Sequence, residues 1–261
     1  MAEVIVVTSG KGGVGKTTIA AYLGYGLASR GKRTVVCDMD FGLNNLDIAM
    51  GVEKRIQFDL SDVLEGRCRA SQALVEGSIK NLYMISSAHY YAGNSNSDEG
   101  IKELIDGLRE NFDYVILDCP AGIDSGFHRA VGFADSAMVV ITPSLSSVRD
   151  ADKALTVLRS YNLEKISVVV NMARGDLMFE NCMISIDDIK MLLKADIIAV
   201  IPFDDRILSA ESCRRVGDGS TAKCLKLFIN SVFTGKIKYI NPEKEFSGFR
   251  GSIRRSLRKI V

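Results

Sequence analysis

Residues Gly10 to Thr18 read G-K-G-G-V-G-K-T-T, a spacing that fits the phosphate-cradling pattern G-x-x-x-x-G-K-[ST]. An apolar run, Val4-Ile5-Val6-Val7, precedes it, and a helical pattern begins near Lys16. Strand, glycine loop and helix N-terminus together form an anion site. Backbone N–H groups of Gly10, Gly12, Gly13, Val14 and Gly15 can turn onto phosphate oxygens, and the helix dipole adds positive potential. Lys16 is placed to neutralise β- and γ-phosphates, and the Thr17 hydroxyl, followed by Thr18, to ligate Mg²⁺.

Carboxylates recur where such a site needs them. Asp38-Met39-Asp40 follows the apolar run Thr34–Cys37, and carboxylates at i and i+2 leave the same side of an extended chain. Val115-Ile116-Leu117-Asp118 is a buried-strand pattern ending in aspartate. This is the Walker B arrangement, in which Asp118 holds Mg²⁺ directly or through a water. Cys119 is read as a small buried side chain.

The elements that must position these groups alternate along the chain. Strands are predicted at Val4–Thr8, Thr34–Cys37, Leu82–Ile85, Tyr114–Leu117, Ala137–Ile141, Ile166–Val170 and Ile197–Ile201. Helices are predicted near Lys16–Ser29, Ile101–Glu110, Val148–Ser160, Ile186–Lys194 and Ala222–Phe233. Apolar strands separated by helices imply a parallel sheet covered on both faces. The expected fold is therefore a doubly wound, mostly parallel α/β sheet of P-loop NTPase type, with ligands at the carboxyl ends of the strands.

The 261 residues suffice for one large α/β domain. No N-terminal signal pattern and no apolar run near 18 residues is present, so a cytoplasmic protein is expected. Six scattered cysteines without C-x-x-C suit reduced thiols rather than a disulfide framework or zinc site. Net charge is +1, but Phe246–Val261 holds five basic residues and no acidic one, leaving −4 for the remainder.

That C-terminal stretch has its own pattern. Phe246, Phe249, Ile253, Leu257 and Ile260 are spaced 3, 4, 4 and 3 apart, giving an apolar stripe on a helix. Arg254, Arg255, Arg258 and Lys259 flank it, and Arg250 can snorkel from its edge. An arginine-rich amphipathic helix is expected to bind an anionic lipid surface. The chain is accordingly divided into an ATPase domain at 1–234, a linker at 235–245 and a membrane-targeting helix at 246–261.

A second loop lysine, Lys11, gives the form G-K-G-G-x-G-K-T-T. It resembles the deviant Walker A loop of the MinD/ParA family of ATPases. The stretch Phe41–Asp47, the run D-C-P-A-G from Asp118 to Gly122, and Ser146–Asp152 are similar to the MinD branch of that family. The resemblance implies an ATP- and Mg²⁺-dependent ATPase that forms a homodimer when ATP is bound. In it, Lys11 reaches the partner's nucleotide in trans, as an arginine finger does. Asp40, supported by Asp38, positions the attacking water. Asn45 belongs to the first switch, and Pro120 and Gly122 shape the second. Asn171, Pro202 and Asp204 match the adenine-contacting region. Arg149 and Asp152 lie on the family's partner-binding helix.

The implied role is placement of the bacterial division site from the inner face of the cell membrane. The implied partners are a MinC-like division inhibitor and a MinE-like or equivalent activator. Departures stand at Asn44 and Met172, where arginine is usual, and at Ser144, where glutamate is common. A flagellar-number regulator and a DNA-segregating ParA protein share the loop. The apolar stripe of the tail argues against nucleic acid, since a DNA backbone offers nothing to Phe249 or Leu257.

Overall fold

The strand β1 (Glu3–Thr8) shows how the sheet is built. Val4 and Val6 enter one apolar core, and Ile5 and Val7 enter the other. A strand apolar at every position is buried on both faces, and the period of two divides its side chains between them. The computed structural model describes residues 2–41, 45–87, 97–205 and 219–246.

The remaining strands are β2 (Thr34–Asp38), β3 (Val75–Glu76), β4 (Leu82–Ile85), β5 (Tyr114–Asp118), β6 (Ser136–Ile141), β7 (Lys165–Ala173) and β8 (Asp196–Pro202). Among the described residues they form one sheet in the order β3-β4-β2-β5-β1-β6-β7-β8. Neighbours are parallel except β3, which pairs antiparallel with β4. All seven predicted strands are present. The two-residue β3 was not predicted, being too short to show a pattern.

One face is covered by α1 (Lys16–Ala28), α2 (Leu46–Met50) and α10 (Ser220–Thr234). The other carries α3 (Leu60–Leu64), α4 (Ala70–Ala73), α5 (Ser97–Asn111), α6 (Ser125–Val131), α7 (Leu145–Leu158), α8 (Gly175–Phe179) and α9 (Ile186–Leu193). The five predicted helices are α1, α5, α7, α9 and α10. The others have four to seven residues, less than two full turns. The strand order reverses about β1, with β5 on one side and β6 on the other. That reversal opens a crevice at the carboxyl ends of the strands.

The C-terminal part of the described chain is packed rather than free. Tyr239 and Ile240 rest against the two cores, and Pro242–Phe246 forms a 3-10 turn. Phe246, assigned from sequence to the lipid-facing stripe, is only 8% exposed. A Cβ placed on Gly175 would meet its ring at 3.0 Å. Periodicity alone cannot separate an apolar residue docked on the body from one reserved for another surface. The other stripe and flanking residues, Phe249, Arg250, Ile253, Arg254, Leu257, Arg258 and Ile260, lie outside the described residues, as does Asn44.

Candidate active site

The glycine loop leaves β1 and enters α1 through Gly15, which caps the helix with φ +86°. Any Cβ there would be strained by that φ and would also lie 2.3 Å from the Asn171 amide nitrogen. Asn171 Nδ2 donates to the Val14 carbonyl at 2.9 Å, in a buried environment. The side chain expected to read a base therefore also holds the loop. At the other end, a Cβ on Gly10 would stand 2.3 Å from the Asp150 backbone carbonyl of α7. Ser9 Oγ donates to the Lys11 carbonyl at 2.8 Å. The loop is fixed by β7, by α7 and by its own turn.

Lys16 Nζ lies 3.9 Å from Asp118 Oδ1, and both side chains are largely buried. Thr17 donates to the Asp118 carboxylate, which burial nonetheless pushes up to about 6. Asp118 Oδ1 is buried without a hydrogen-bond partner. A buried carboxylate oxygen without a hydrogen bond, beside a threonine hydroxyl, suits a hard divalent cation, so these residues fit Mg²⁺. Magnesium, when bound, would neutralise charge on the phosphate oxygens facing Asp118 and Thr17.

Asp38 stands beside Asp118 in the β2–β5 register. Burial, then the Asp118 charge, push its carboxyl up to about 7. It accepts hydrogen bonds from the backbone N–H groups of Asp40 and Leu46. Asp38 thus holds both ends of the loop that carries Asp40. Asp40 is partly exposed, and burial raises its carboxyl while Lys16 draws it down. This carboxylate can accept a hydrogen bond from a water near Lys16. Asn45 precedes the first turn of α2.

Behind β5, Gly122 adopts φ +97° and donates its N–H to the Ser9 carbonyl at 2.9 Å. A Cβ on Gly126 would meet the Pro120 ring at 2.7 Å. The turn bearing Pro120 and Gly122 is therefore joined to the glycine loop by one hydrogen bond and packed against α6. Cys119 is fully buried, and burial pushes its thiol up to about 12, which suits packing rather than ligation.

Lys11 points elsewhere. Its Nζ donates to Ser146 Oγ on α7 at 3.0 Å. The same helix displays Arg149 and Asp152 on its exposed side. Ser146 and Ser9 were not assigned roles from sequence. Ser146 is 135 residues from Lys11, and no local pattern announces such a contact.

Pro202 and Asp204 line a cavity of about 120 Å³ with Asn171, Met172, Ile19 and Tyr22. Asp204 accepts from Thr221 Oγ1 at 2.9 Å, which fixes it to the start of α10. Met172 takes φ +56°, an unusual backbone for a non-glycine residue. The cavity adjoins the start of α1 through Thr18, so a base placed there would extend from a phosphate chain on the loop.

The parts together suit phosphoryl transfer: a glycine loop that can cradle phosphate, a lysine beside it, a carboxylate that fits a metal and a carboxylate that can orient water. Comparison with known proteins agrees. A family model described as an AAA domain matches residues 2–169. A septum site-determining protein MinD of Bacillus subtilis (strain 168) is 46% identical over 215 residues, covering 81% of this chain and 80% of the relative. The chain belongs to the MinD family. It is a P-loop ATPase of division-site placement, with ATP and Mg²⁺ as its cofactors. The MinC:MinD cell division protein complex of Aquifex aeolicus superposes with TM-score 0.83 at 35% identity, over 91% of this chain and 98% of that one. MinD of Pyrococcus horikoshii, complexed with Mg-ADP, gives 0.78 at 25% identity, over 89% of this chain and 96% of that one.

Proposed function

We propose that the chain is a dimer-gated membrane switch, in which ATP joins two copies and hydrolysis separates them. The carrying observation is the position of Lys11. Its ammonium sits on Ser146, while Lys16 faces Asp118. A second loop lysine turned toward α7 is placed to meet a nucleotide on a second copy. Delivered in trans, it would stabilise charge developing on the transferring phosphoryl group.

The basic tail supplies the readout. One amphipathic copy binds anionic lipid marginally, with about 1 kcal/mol for each cation near the surface. Two tails on one dimer act as a bivalent ligand, and avidity rises by about 10² to 10⁴. The exposed face of α7, with Arg149 and Asp152, is where a MinC-like inhibitor would dock, and an activator would compete for or share it. The Aquifex complex supports the inhibitor as a partner class.

The test is light scattering of wild type and Lys11→Ala with a slowly hydrolysed ATP analogue. Wild type should double in mass, and Lys11→Ala should remain monomeric while still binding nucleotide. A Lys11→Ala protein that dimerises and turns over ATP like wild type would remove the role in trans.

A further inference from the structure

Helix α10 packs closely on α1. A Cβ on Gly26 would meet the Ile229 side chain at 2.4 Å, so the two helices touch along that line. The contact brings the end of α1 beside the end of α10. Arg30 Nη2 donates to Asn230 Oδ1, and the Arg30 guanidinium lies 5.5 Å from the centroid of the Phe233 ring. Lys32 Nζ stands 5.9 Å from the same centroid. Beyond α10 the chain turns back at Gly235, whose φ is +70°, and the Lys238 N–H donates to Ser231 Oγ at 3.2 Å. Lys236, Ile237 and Lys238 are thereby held beside the last turn of the helix.

The outward side of this unit is basic and apolar at once. Lys226, Asn230 and Phe233 are spaced four and three apart, so they share one exposed face of α10, while Leu225, Phe228 and Ile229 are buried behind it. Phe233 is 44% exposed and Ile237 41% exposed. Residues 219–241 contain four lysines and no carboxylate, and residues 24–37 add Arg30, Lys32 and Arg33, again with none. Asp113 meets this group from α5's end of the sheet, 3.7 Å from Lys32 Nζ, and accepts the Arg33 backbone N–H. Residues 1–245 hold 28 basic and 32 acidic residues, or −4, so a cationic face is an exception on this body. A recess of about 200 Å³ lies between the two helices, lined by Tyr25, Ala222, Leu225 and Ile229 with Arg30 and Lys226.

We propose that this face of α10, with Phe233 and Ile237 at its centre and Arg30, Lys32, Lys226, Lys236 and Lys238 around them, is a second membrane contact, made by the body of the protein on anionic lipid. The inference deepens the membrane reading above and rests on it. The pattern is that of an interfacial surface: apolar groups that enter the headgroup region, ringed by cations that stay at the phosphates. A nucleic-acid backbone would meet the cations but leave Phe233 and Ile237 in water. Two apolar side chains are too few to hold the body at a membrane alone, since stable anchoring takes two signals. Once a tail is in the lipid, the effective concentration of the α10 face at the surface is high, and the face closes onto it. The consequence is orientation. With α10 against the lipid, the layer that carries α7 is turned away from it, because the two layers cover opposite faces of the sheet. The exposed side of α7 is then left open to a partner.

The chain has no tryptophan, so Phe233→Trp places a single reporter on the face, and Ile237→Trp a second one in a separate protein. Leu192→Trp, at a position 51% exposed on α9 in the opposite layer, is the control. Each full-length variant is mixed, in a slowly hydrolysed ATP analogue, with phosphatidylglycerol–phosphatidylcholine vesicles whose acyl chains are brominated. Contact predicts blue-shifted emission from Phe233→Trp and Ile237→Trp, quenched at least about twofold by the bromine, with Leu192→Trp unchanged. Lys236→Gln/Lys238→Gln should weaken vesicle binding by at least about tenfold. Vesicle-bound Phe233→Trp and Ile237→Trp whose emission is neither shifted nor quenched overturn the proposal and leave the tail's membrane role standing. Equal quenching of all three reporters also overturns it, since the body would then present no fixed face. Emission that responds to duplex DNA and not to vesicles overturns it in favour of nucleic acid. If the full-length wild type fails to pellet with ATP, the membrane reading itself falls, and this inference with it.

Discussion

Replacing Asn171 by alanine separates two roles that one side chain could play. Its Nδ2 donates to the Val14 carbonyl at 2.9 Å, and Asn171 and Val14 are 7% and 1% exposed. Removing the donor strands a buried carbonyl at the centre of the glycine loop. That costs about 1–3 kcal/mol. A chain of this size loses about 2–4 °C of melting temperature for each kcal/mol. The ligand-free protein should therefore melt several degrees lower. Binding should weaken for any ligand that uses the loop, whether or not it carries a base. Calorimetric titration with ATP and with inorganic tripolyphosphate makes the distinction. A clamp predicts parallel losses for both, and Asn171→Asp should be worse, because a carboxylate would face the carbonyl. If ATP binding falls while tripolyphosphate binding and melting temperature stay at wild-type values, Asn171 acts on the base and the clamp argument is refuted.

Other outcomes follow from the same geometry. Gly10→Ala must push α7 away from a 2.3 Å approach; a loss of about 1–3 kcal/mol is expected, read by urea denaturation. Asp118→Asn removes a carboxyl that burial raises to about 6. It should stabilise the ligand-free fold by up to about 3 kcal/mol at neutral pH yet abolish the Mg²⁺ dependence of ATP binding, a pair of opposite signs read by melting and by titration with EDTA controls. The ligand-free protein should also gain stability as pH falls. Asp38 titrates near 3.8 when unfolded and about 7 when folded. The folded state therefore holds the extra proton, and the stability is lost as pH rises through about 7. Melting temperatures from pH 8 to pH 6 should rise without ligand, while Mg·ATP affinity falls over the same interval; a flat profile would mean that Asp38 ionises freely.

Much of the site is legible in the chain because its parts are local. The glycine loop, Asp38-Met39-Asp40 and the Asp118 strand each occupy fewer than ten residues, and hydrophobic runs place them at strand ends. What escapes is contact between distant segments. Asn171 to Val14 spans 157 residues and Lys11 to Ser146 spans 135, so neither bond leaves a periodic trace. Phe246 fits the spacing of the tail stripe, yet it packs on α8. Its spacing carries no information about which surface it meets. Short helices such as α3 are held by a capping box at Asp59 and Asp62, a signal that sits outside any apolar period.

The most direct measurement is co-sedimentation of the full chain with anionic vesicles, comparing ATP with ADP and the full chain with a truncation after Glu245. A dimer-gated switch predicts pelleting with ATP at least about tenfold above that with ADP, abolished by the truncation and by Lys11→Ala. Equal pelleting in the two nucleotides, or pelleting that survives loss of residues 246–261, would contradict it.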